Sequence, residues 1–258
     1  MLRISPKHLG PQPSIPHQNK IMKKCFAILL LCSLTYSAQA QLFSKERLKN
    51  IENFDKQFLS WGYFLGFNSY DYNFDYTLDR KDIQVEKSVG FNVGLIGDMR
   101  VNDFINLRLE PGLYITKRNL VFDPSFFGNT PYNDADLLRE VNSTYIHIPL
   151  LVKVSAKRLN NFKPFLVGGV STALNLSSNQ DNPDDNSNGQ FRTKKNVFFY
   201  ELGFGVDFYL YWFKFTPSIR GVFALNDELV RDTDPNSPWT GNITSMKTRG
   251  VFINFTFQ

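Results

Sequence analysis

The strongest constraint on the fold is an alternation of apolar and polar residues that recurs along most of the chain. In VFFYELGFGVDFYLYWFKFTPSIR, residues 197–220, charged residues are threaded at even spacings through an apolar and aromatic run. The stretch is too charged for a membrane helix and too apolar for a loop. Because a period of two places alternate side chains on opposite faces of a β-strand, it predicts strands with one apolar and one polar face.

Eight segments of the chain show this alternation. Their apolar faces explain how 15% of the residues can be aromatic, with 25 phenylalanines, although no apolar run after the first forty residues is long enough for a membrane helix. The segments are WGYFLGFN (61–68), VGFNVGLIG (89–97), INLRLEPGLYI (105–115), YIHIPLLVKV (145–154), FLVGGVSTALNL (165–176), VFFYELGFGVDF (197–208), FKFTPSIRGVF (213–223) and RGVFINFTFQ (249–258).

The connections between these segments alternate in length. They are tight after the second, fourth and sixth segments (98–104, 155–163 and 209–212), and long and polar after the first, third, fifth and seventh. Outer-membrane barrels have short periplasmic turns, longer external loops and usually an even number of strands. We therefore predict an all-β fold, an eight-stranded antiparallel transmembrane β-barrel of the outer membrane, formed by residues 61–258.

Charged residues on the polar faces are predicted to point into the barrel and to pair across neighbouring strands. On the lipid face at the midplane, a Lys or Arg would cost about 2–4 kcal/mol. Glu201 and Asp207 share a face but are separated by roughly 20 Å along a strand, so they do not form one carboxylate pair. We expect a structural role for this lumen polar network, which consists of Arg108, Glu110, His147, Lys153, Glu201, Asp207, Lys214 and Arg220.

A soluble closed barrel of the lipocalin type is the alternative, since the same alternation can point its apolar faces inward. The polar faces are rich in glycine, which suits the crowded lumen of a narrow barrel better than a soluble exterior. The loop lengths and an export signal also favour the membrane barrel. An eight-stranded barrel is filled by its own side chains, so we do not expect a diffusive pore.

The first forty residues predict export. Residues 22–40, MKKCFAILLLCSLTYSAQA, have the basic start, short apolar stretch and small-x-small ending of a signal peptide. We expect cleavage after Ala40, localisation in the cell outer membrane and a periplasmic segment over 41–60. Residues 1–21 are interpreted as an upstream extension, with Met22 as the start.

The net charge of +5 is confined to these forty residues. They contain five basic residues and no acid, which leaves 24 basic against 24 acidic residues in the exported chain. A neutral chain has no general attraction for polyanions, so nucleic acid is not a predicted partner, whereas outer-membrane lipid is.

Thiol and metal chemistry are also not expected in the exported chain. Both cysteines, Cys25 and Cys32, lie in the signal, and His147 is the one histidine after it. We predict no metal and no cofactor. The stretch NQDNPDDNSNG is acidic but lacks the spacing of an EF-hand, and it favours an external loop.

His147 is the one candidate general base. Outer-membrane acyl hydrolases and acyltransferases pair a His with a Ser, but Ser143, which is close in sequence, has no nucleophile motif around it. A lone His in a lumen favours a hydrogen-bonded structural role. We predict no enzymatic activity, with a lipid-modifying barrel enzyme as the weaker alternative.

Several stretches resemble the PorT family, called SprT in gliding bacteria, over about residues 50–257. They are NFDKQFLSWGYFLGFNSYDY, YIHIPLLVKV and above all GFGVDFYLYWFKFTPSIR. PorT proteins are outer-membrane barrels of the Bacteroidota associated with the type IX secretion system. The resemblance implies a non-enzymatic component of protein secretion, and of gliding motility where present, with other type IX components as partners and no catalytic residues.

The chain departs from the PorT pattern at two places. Tyr211-Trp212 stands where Pro-Tyr is expected, and Ser218 replaces an acidic residue after Pro217. We therefore expect Arg220 to lack its nearest partner. The alternative function is that of a general small barrel, an adhesin or envelope-stabilising protein without a secretion role.

Overall fold

The computed structural model describes residues 49–79, 81–182 and 191–258. The extension over 1–21, the signal peptide over 22–40 with its cleavage site at Ala40, and both cysteines lie outside the described residues. Of the segment 41–60, residues 49–60 are described. They form a short 3-10 helix at Phe54–Lys56 and the beginning of the first strand.

Ten antiparallel strand segments occur in the described residues, where eight were predicted. They are β1 (Leu59–Tyr76), β2 (Gln84–Lys87), β3 (Val89–Arg100), β4 (Ile105–Leu109), β5 (Gly112–Val121), β6 (Leu138–Ser155), β7 (Phe162–Asn175), β8 (Asn196–Tyr209), β9 (Lys214–Ala224) and β10 (Ile243–Phe257).

The ten segments build eight staves, a stave being one continuous run of the barrel wall. β4 and β5 are interrupted only at Glu110–Pro111, and their register with β3 and β6 is the same on both sides of the break. Proline has no backbone N–H to donate to the ladder, which accounts for this gap. β2 and β3 are separated at Ser88, where the register with β5 shifts by one residue.

The sheet closes on itself. β1 pairs with β10 on one side, from Tyr63↔Phe257 onward, and with β3 on the other, from Leu59↔Met99 onward. Every stave therefore has two neighbours. Closure satisfies the backbone hydrogen bonds along the whole wall, which an open sheet in lipid could not achieve.

The outward face of the wall carries an apolar belt. In β6, burial alternates at every residue, so that Ile146, Ile148, Leu150, Val152 and Val154 all point outward. We call the end of the barrel with the short connections 101–104, 156–161 and 210–213 the turn end, and the opposite end the loop end. Exposed aromatic residues gather at the turn end, as in an interfacial girdle; they include Trp61, Tyr63, Phe104, Tyr211 and Trp212.

The polarity of the two faces inverts towards the loop end. Inward residues of β1, which apart from Phe64 are small or polar up to Asn68, become the aromatic Tyr70, Tyr72, Phe74 and Tyr76, and the outward residues become polar. The outward polar residues are Ser69, Asp71, Asn73 and Asp75. The staves thus continue beyond the apolar belt with polar residues outside and apolar residues inside, as in a soluble barrel.

These extensions correct the expected strand limits. β1 ends at Tyr76 rather than at residue 68, and β6 begins at Leu138 rather than at residue 145. The connection after β1 consequently spans only 77–83 and is not the long loop that we expected. The remaining loop-end connections, 122–137, 176–195 and 225–242, are long as predicted. No helix in the described part of the chain is long and apolar enough to cross a bilayer.

The belt makes a prediction about the lipid face. Leu150 lies in the middle of the outward apolar residues of β6, whereas Asn142 lies on the same face beyond the belt. We expect Leu150→Arg to lower the free energy of unfolding by about 2–4 kcal/mol and Asn142→Arg by about 0–1 kcal/mol, because the cost of a cation falls away from the midplane. Equilibrium urea titration of the protein folded into vesicles measures both. Equal costs would contradict the placement of the belt.

Candidate functional site

Three residues of the lumen polar network, Lys153, Asp207 and Lys214, point inward in the half of the barrel nearer the turn end. Lys153 on β6 donates from Nζ to Asp207 Oδ2 on β8 at 2.5 Å. Thr216 Oγ1 on β9 donates to the other oxygen of Asp207 at 2.8 Å. Asp207 thus ties three staves together. The ammonium of Lys214 lies 4.6 Å from the ring centre of Phe54, which precedes β1.

The middle of the lumen holds a chain of alternating charges. His147 Nε2 donates to Glu201 Oε1 at 2.7 Å, and the second oxygen of Glu201 lies 3.4 Å from the Arg220 guanidinium. Arg220 also pairs with Glu110 at 2.8 Å, and Glu110 lies 3.4 Å from Arg108 Nε. The chain joins residues of four staves across the barrel, so it braces the wall from inside.

All eight predicted residues are buried in the lumen. Ser218 offers Arg220 no carboxylate, and Glu110 and Glu201 from other staves pair with Arg220 instead. Sequence reasoning missed Asp98, which pairs with Arg108 at 3.3 Å. Asp98 was assigned to a tight turn, whereas it is an inward residue of β3 two places before the strand ends.

A layer of aromatic rings fills the lumen on the loop side of the charges. Its members pack edge to face or tilted, with centroids 4.9–6.2 Å apart among Tyr114, Phe252, Phe64, Tyr70 and Tyr145. His147 joins it at 4.9 Å from the Tyr114 centroid. Such spacings are those of close-packed aromatic pairs, so this layer is a core and leaves no open channel.

Arg118 on β5 lies fully buried beyond the aromatic layer and was not among the predicted lumen residues. Its guanidinium donates to Thr248 Oγ1, Ser143 Oγ and Tyr145 Oη at 2.9–3.1 Å. The guanidinium carbon also lies 3.9 Å from the ring centre of Tyr72. Its signal was present in the alternation that continues past residue 115, with Arg118 on the inward face of β5.

The long loops pack together and cover the loop end. Thr248 N donates to the buried carboxylate of Glu228 in the loop after β9, at 2.8 Å, and burial raises the pKa of Glu228. Arg192 pairs with Asp232 at 3.1 Å, and Trp239 Nε1 donates to Asp136 O at 3.1 Å. Beneath these contacts lies an apolar cluster that includes Leu120, Phe122, Phe126, Phe127, Phe191, Leu229 and Met246.

The segment before β1 packs across the turn end. Tyr209 Oη donates to Asp55 Oδ1 at 2.5 Å, and Asn50 N donates to Asn161 Oδ1 at 2.9 Å. Arg158 donates to the backbone oxygen of Asn50, with its guanidinium 3.6 Å from the ring centre of Tyr209. The described part of the expected periplasmic segment is therefore folded against the turns after β6 and β8.

The geometry does not assemble the Ser-His arrangement that a hydrolase would use. Ser143 accepts from Arg118, whereas His147 donates to Glu201, and four residues of strand separate the two by about 13 Å. Among the described residues, no group of three or more His, Cys, Asp or Glu side chains could hold a metal ion. The absence of enzymatic activity and of a cofactor stays a prediction.

The chain of ion pairs from His147 to Arg108 makes a prediction about stability. Glu201→Gln removes the carboxylate between His147 and Arg220, and breaking a buried ion pair costs about 3–5 kcal/mol because the remaining charge is left uncompensated. The matched control is Glu140→Gln, which breaks the exposed pair with Lys117 at 2.7 Å. We expect Glu201→Gln to lower the free energy of unfolding by that amount and Glu140→Gln to leave it unchanged. Equal free energies of unfolding for the two variants, measured by urea titration in vesicles, would contradict a stabilising role of the ion pairs at Glu201.

The filled lumen makes a second prediction. An eight-stranded barrel packed with side chains is too narrow for ion flow. We expect the purified protein, inserted into a planar bilayer, to show no single-channel conductance, and a steady conductance from the folded protein would contradict the packing described above.

Comparison with known proteins agrees with this architecture. Residues 39–230 match the family described as outer membrane protein beta-barrel domain. No curated protein is similar enough to match. Among solved structures, OprG of Pseudomonas aeruginosa is similar at 15% identity, over 77% of this chain and 93% of OprG, with a TM-score of 0.44. Neisserial surface protein A is similar at 11% identity, over 78% of this chain and 98% of that protein, with a TM-score of 0.38.

Because the family match spans most of the chain, the protein belongs to the outer membrane protein β-barrel domain family and resides, surrounded by lipid, in the outer membrane.

Proposed function

We propose that this outer-membrane barrel is a non-enzymatic component of type IX protein secretion that acts through protein contacts. The filled lumen is the observation that supports action through protein contacts. Charged and aromatic layers occupy the barrel and packed loops cover one end, so transport through the barrel itself is not its mode of action. A barrel without a conduit can act only through its surfaces.

The secretion role is supported by the PorT resemblance. Its most specific stretch, GFGVDFYLYWFKFTPSIR, corresponds to the second half of β8, the turn 210–213 and residues 214–220 of β9. Asp207, Lys214 and Arg220 in this stretch belong to the lumen polar network. The resemblance therefore concerns residues that shape the barrel from inside as well as the turn that the barrel presents at its turn end.

Two surfaces remain for protein partners, because lipid surrounds the belt. One is the cover of packed loops outside the cell. The other is the turn end, where the segment over 49–58 packs against the turns after β6 and β8. Partners that hand over cargo from the periplasm would meet this second surface, and we place the contact with other secretion components there.

A clean deletion strain tests the proposal. We expect the culture medium to lose secreted cargo proteins and the periplasm to accumulate their precursors, as measured by quantitative proteomics of both fractions. Plasmid-borne protein must restore secretion, and the abundance of unrelated outer-membrane proteins must be unchanged, which excludes general envelope damage. Normal secretion in the deletion strain would contradict the role and favour a general small barrel.

The same strain addresses the non-enzymatic half of the proposal. We expect its lipid A and phospholipid acylation to be identical to those of the parent, as measured by mass spectrometry. A changed acylation pattern that His147→Gln reproduces, with the barrel still folded, would contradict the proposal and favour the lipid-modifying enzyme.

A further inference from the structure

A compact charged patch lies on the outward face of the wall where the apolar belt ends. Arg249 on β10 lies opposite Asp71 on β1, and its guanidinium is 3.0 Å from Asp71 Oδ2. Lys87 on β2 reaches the same oxygen at 3.2 Å. Two cations thus share one carboxylate oxygen, and both remain half exposed, with 52% of the Arg249 side chain and 48% of the Lys87 side chain accessible.

Lys247 adds a third cation to this patch. It lies two residues before Arg249 on the same outward face of β10. Asp71 neutralises one of the three charges, which leaves a net positive charge among these four residues. Asp82 lines the cleft on the other side of Lys87, towards the loop after β1.

An apolar groove begins directly below these cations. Arg249 lies opposite Phe223 on β9, and one step towards the membrane centre Val251 lies opposite Gly221. Gly221 has no side chain on the outward face, which leaves a groove of about 230 Å³ beside Phe223 and Val251 that reaches Arg249 and Lys87. A second groove of about 420 Å³ adjoins it, lined by Tyr200, Phe223, Leu225, Lys247 and Arg249.

The height of the patch identifies the kind of ligand. On β10 and β3, Val251 and Val89 lie one outward step below the cations and are the last exposed apolar residues of their strands, while on β9 the exposed Phe223 lies opposite Arg249. The cations therefore lie where the apolar surface gives way to polar residues, at the level of lipid headgroups. Long loops mark this end as external. Guanidinium and ammonium groups at this level match phosphate, which a guanidinium binds through two parallel hydrogen bonds. The apolar groove directly below the cations suits the acyl chain of such a lipid.

We propose that this patch binds a phosphate-bearing lipid of the outer leaflet. The phosphate contacts Arg249, Lys87 and Lys247, and one acyl chain lies in the groove at Gly221. Charge complementarity and the continuity between cations and groove favour a lipid over a protein partner. The barrel thereby carries a bound lipid at a fixed position on its wall, independently of the secretion role.

The chain offers a matched control for this site. Lys117 on β5 is as exposed as Lys87, at 49%, and also pairs with a carboxylate, Glu140 at 2.7 Å. That pair consists of one cation and one carboxylate, and neither residue lines either of the two grooves. Loss of a general surface charge would therefore affect Lys117→Gln and Arg249→Gln equally, whereas loss of a site would affect Arg249→Gln alone.

The experiment is native mass spectrometry of the purified folded barrel with bisphosphorylated lipid A and with the same lipid after removal of its phosphates. We expect Arg249→Gln to weaken binding of the phosphorylated lipid about tenfold, the loss of one charge-assisted contact, and to leave the dephosphorylated lipid unaffected. Lys87→Gln and Lys247→Gln should act in the same direction. Gly221→Leu, which fills the groove, should weaken binding of both lipids.

Three results would overturn the proposal. They are equal binding of the two lipids by the unaltered protein, an equal effect of Lys117→Gln and Arg249→Gln, and displacement of the lipid by millimolar inorganic phosphate, which would indicate a site for free phosphate. Folding of every variant is checked by its heat-dependent shift in gel mobility. If Arg249→Gln does not fold, the comparison of Lys247→Gln with Lys117→Gln decides between the same outcomes.

Discussion

Closure of the sheet is the constraint on which the rest of the molecule depends. In lipid, backbone groups find no water, so the wall is stable only if β1 meets both β10 and β3 and no edge remains. Eight staves are needed to close the ring, and eight staves fix a narrow lumen. The width of the lumen then decides what the inward residues can be. Glycines such as Gly94 are required where the Phe64 ring crosses, since a Cβ at residue 94 would lie only 2.6 Å from that ring.

A narrow lumen explains why its charges have close partners. Because an isolated buried charge costs several kcal/mol, each buried cation needs a carboxylate, a set of hydroxyl acceptors or an aromatic ring beside it. The alternating chain from His147 through Glu201, Arg220 and Glu110 to Arg108 meets this requirement with residues from four staves. The same pairing fixes the register of those staves, since sliding one strand by a residue would turn its charges outward. The same ion pairs thus stabilise the wall and specify the register of its strands.

Much of this could be predicted from alternation, and the failures have physical causes. Period two identified the eight staves and the inward residues of the network, because the pattern is local. The alternation could not identify which charged residues pair with each other. Arg220 pairs with Glu110 more than a hundred residues away, so the residues around Ser218 could not identify this partner. It also could not locate strand ends, because beyond the belt the faces exchange polarity without changing the period. Arg118 was missed in this way, whereas Asp98, near the turn end, was missed because the strand was predicted to end at residue 97.

The exchange of polarity divides the barrel into two parts with different solvents. Within the belt, lipid surrounds an interior of ion pairs, small residues and aromatic rings such as Phe64 and Phe252. Beyond it, water surrounds an interior of aromatic and aliphatic residues that continues into the packed loops. At the boundary between the two parts, an outward apolar groove and outward cations come together at Gly221 and Arg249. An amphiphilic ligand needs both, which is why the proposed lipid site lies where the two parts meet.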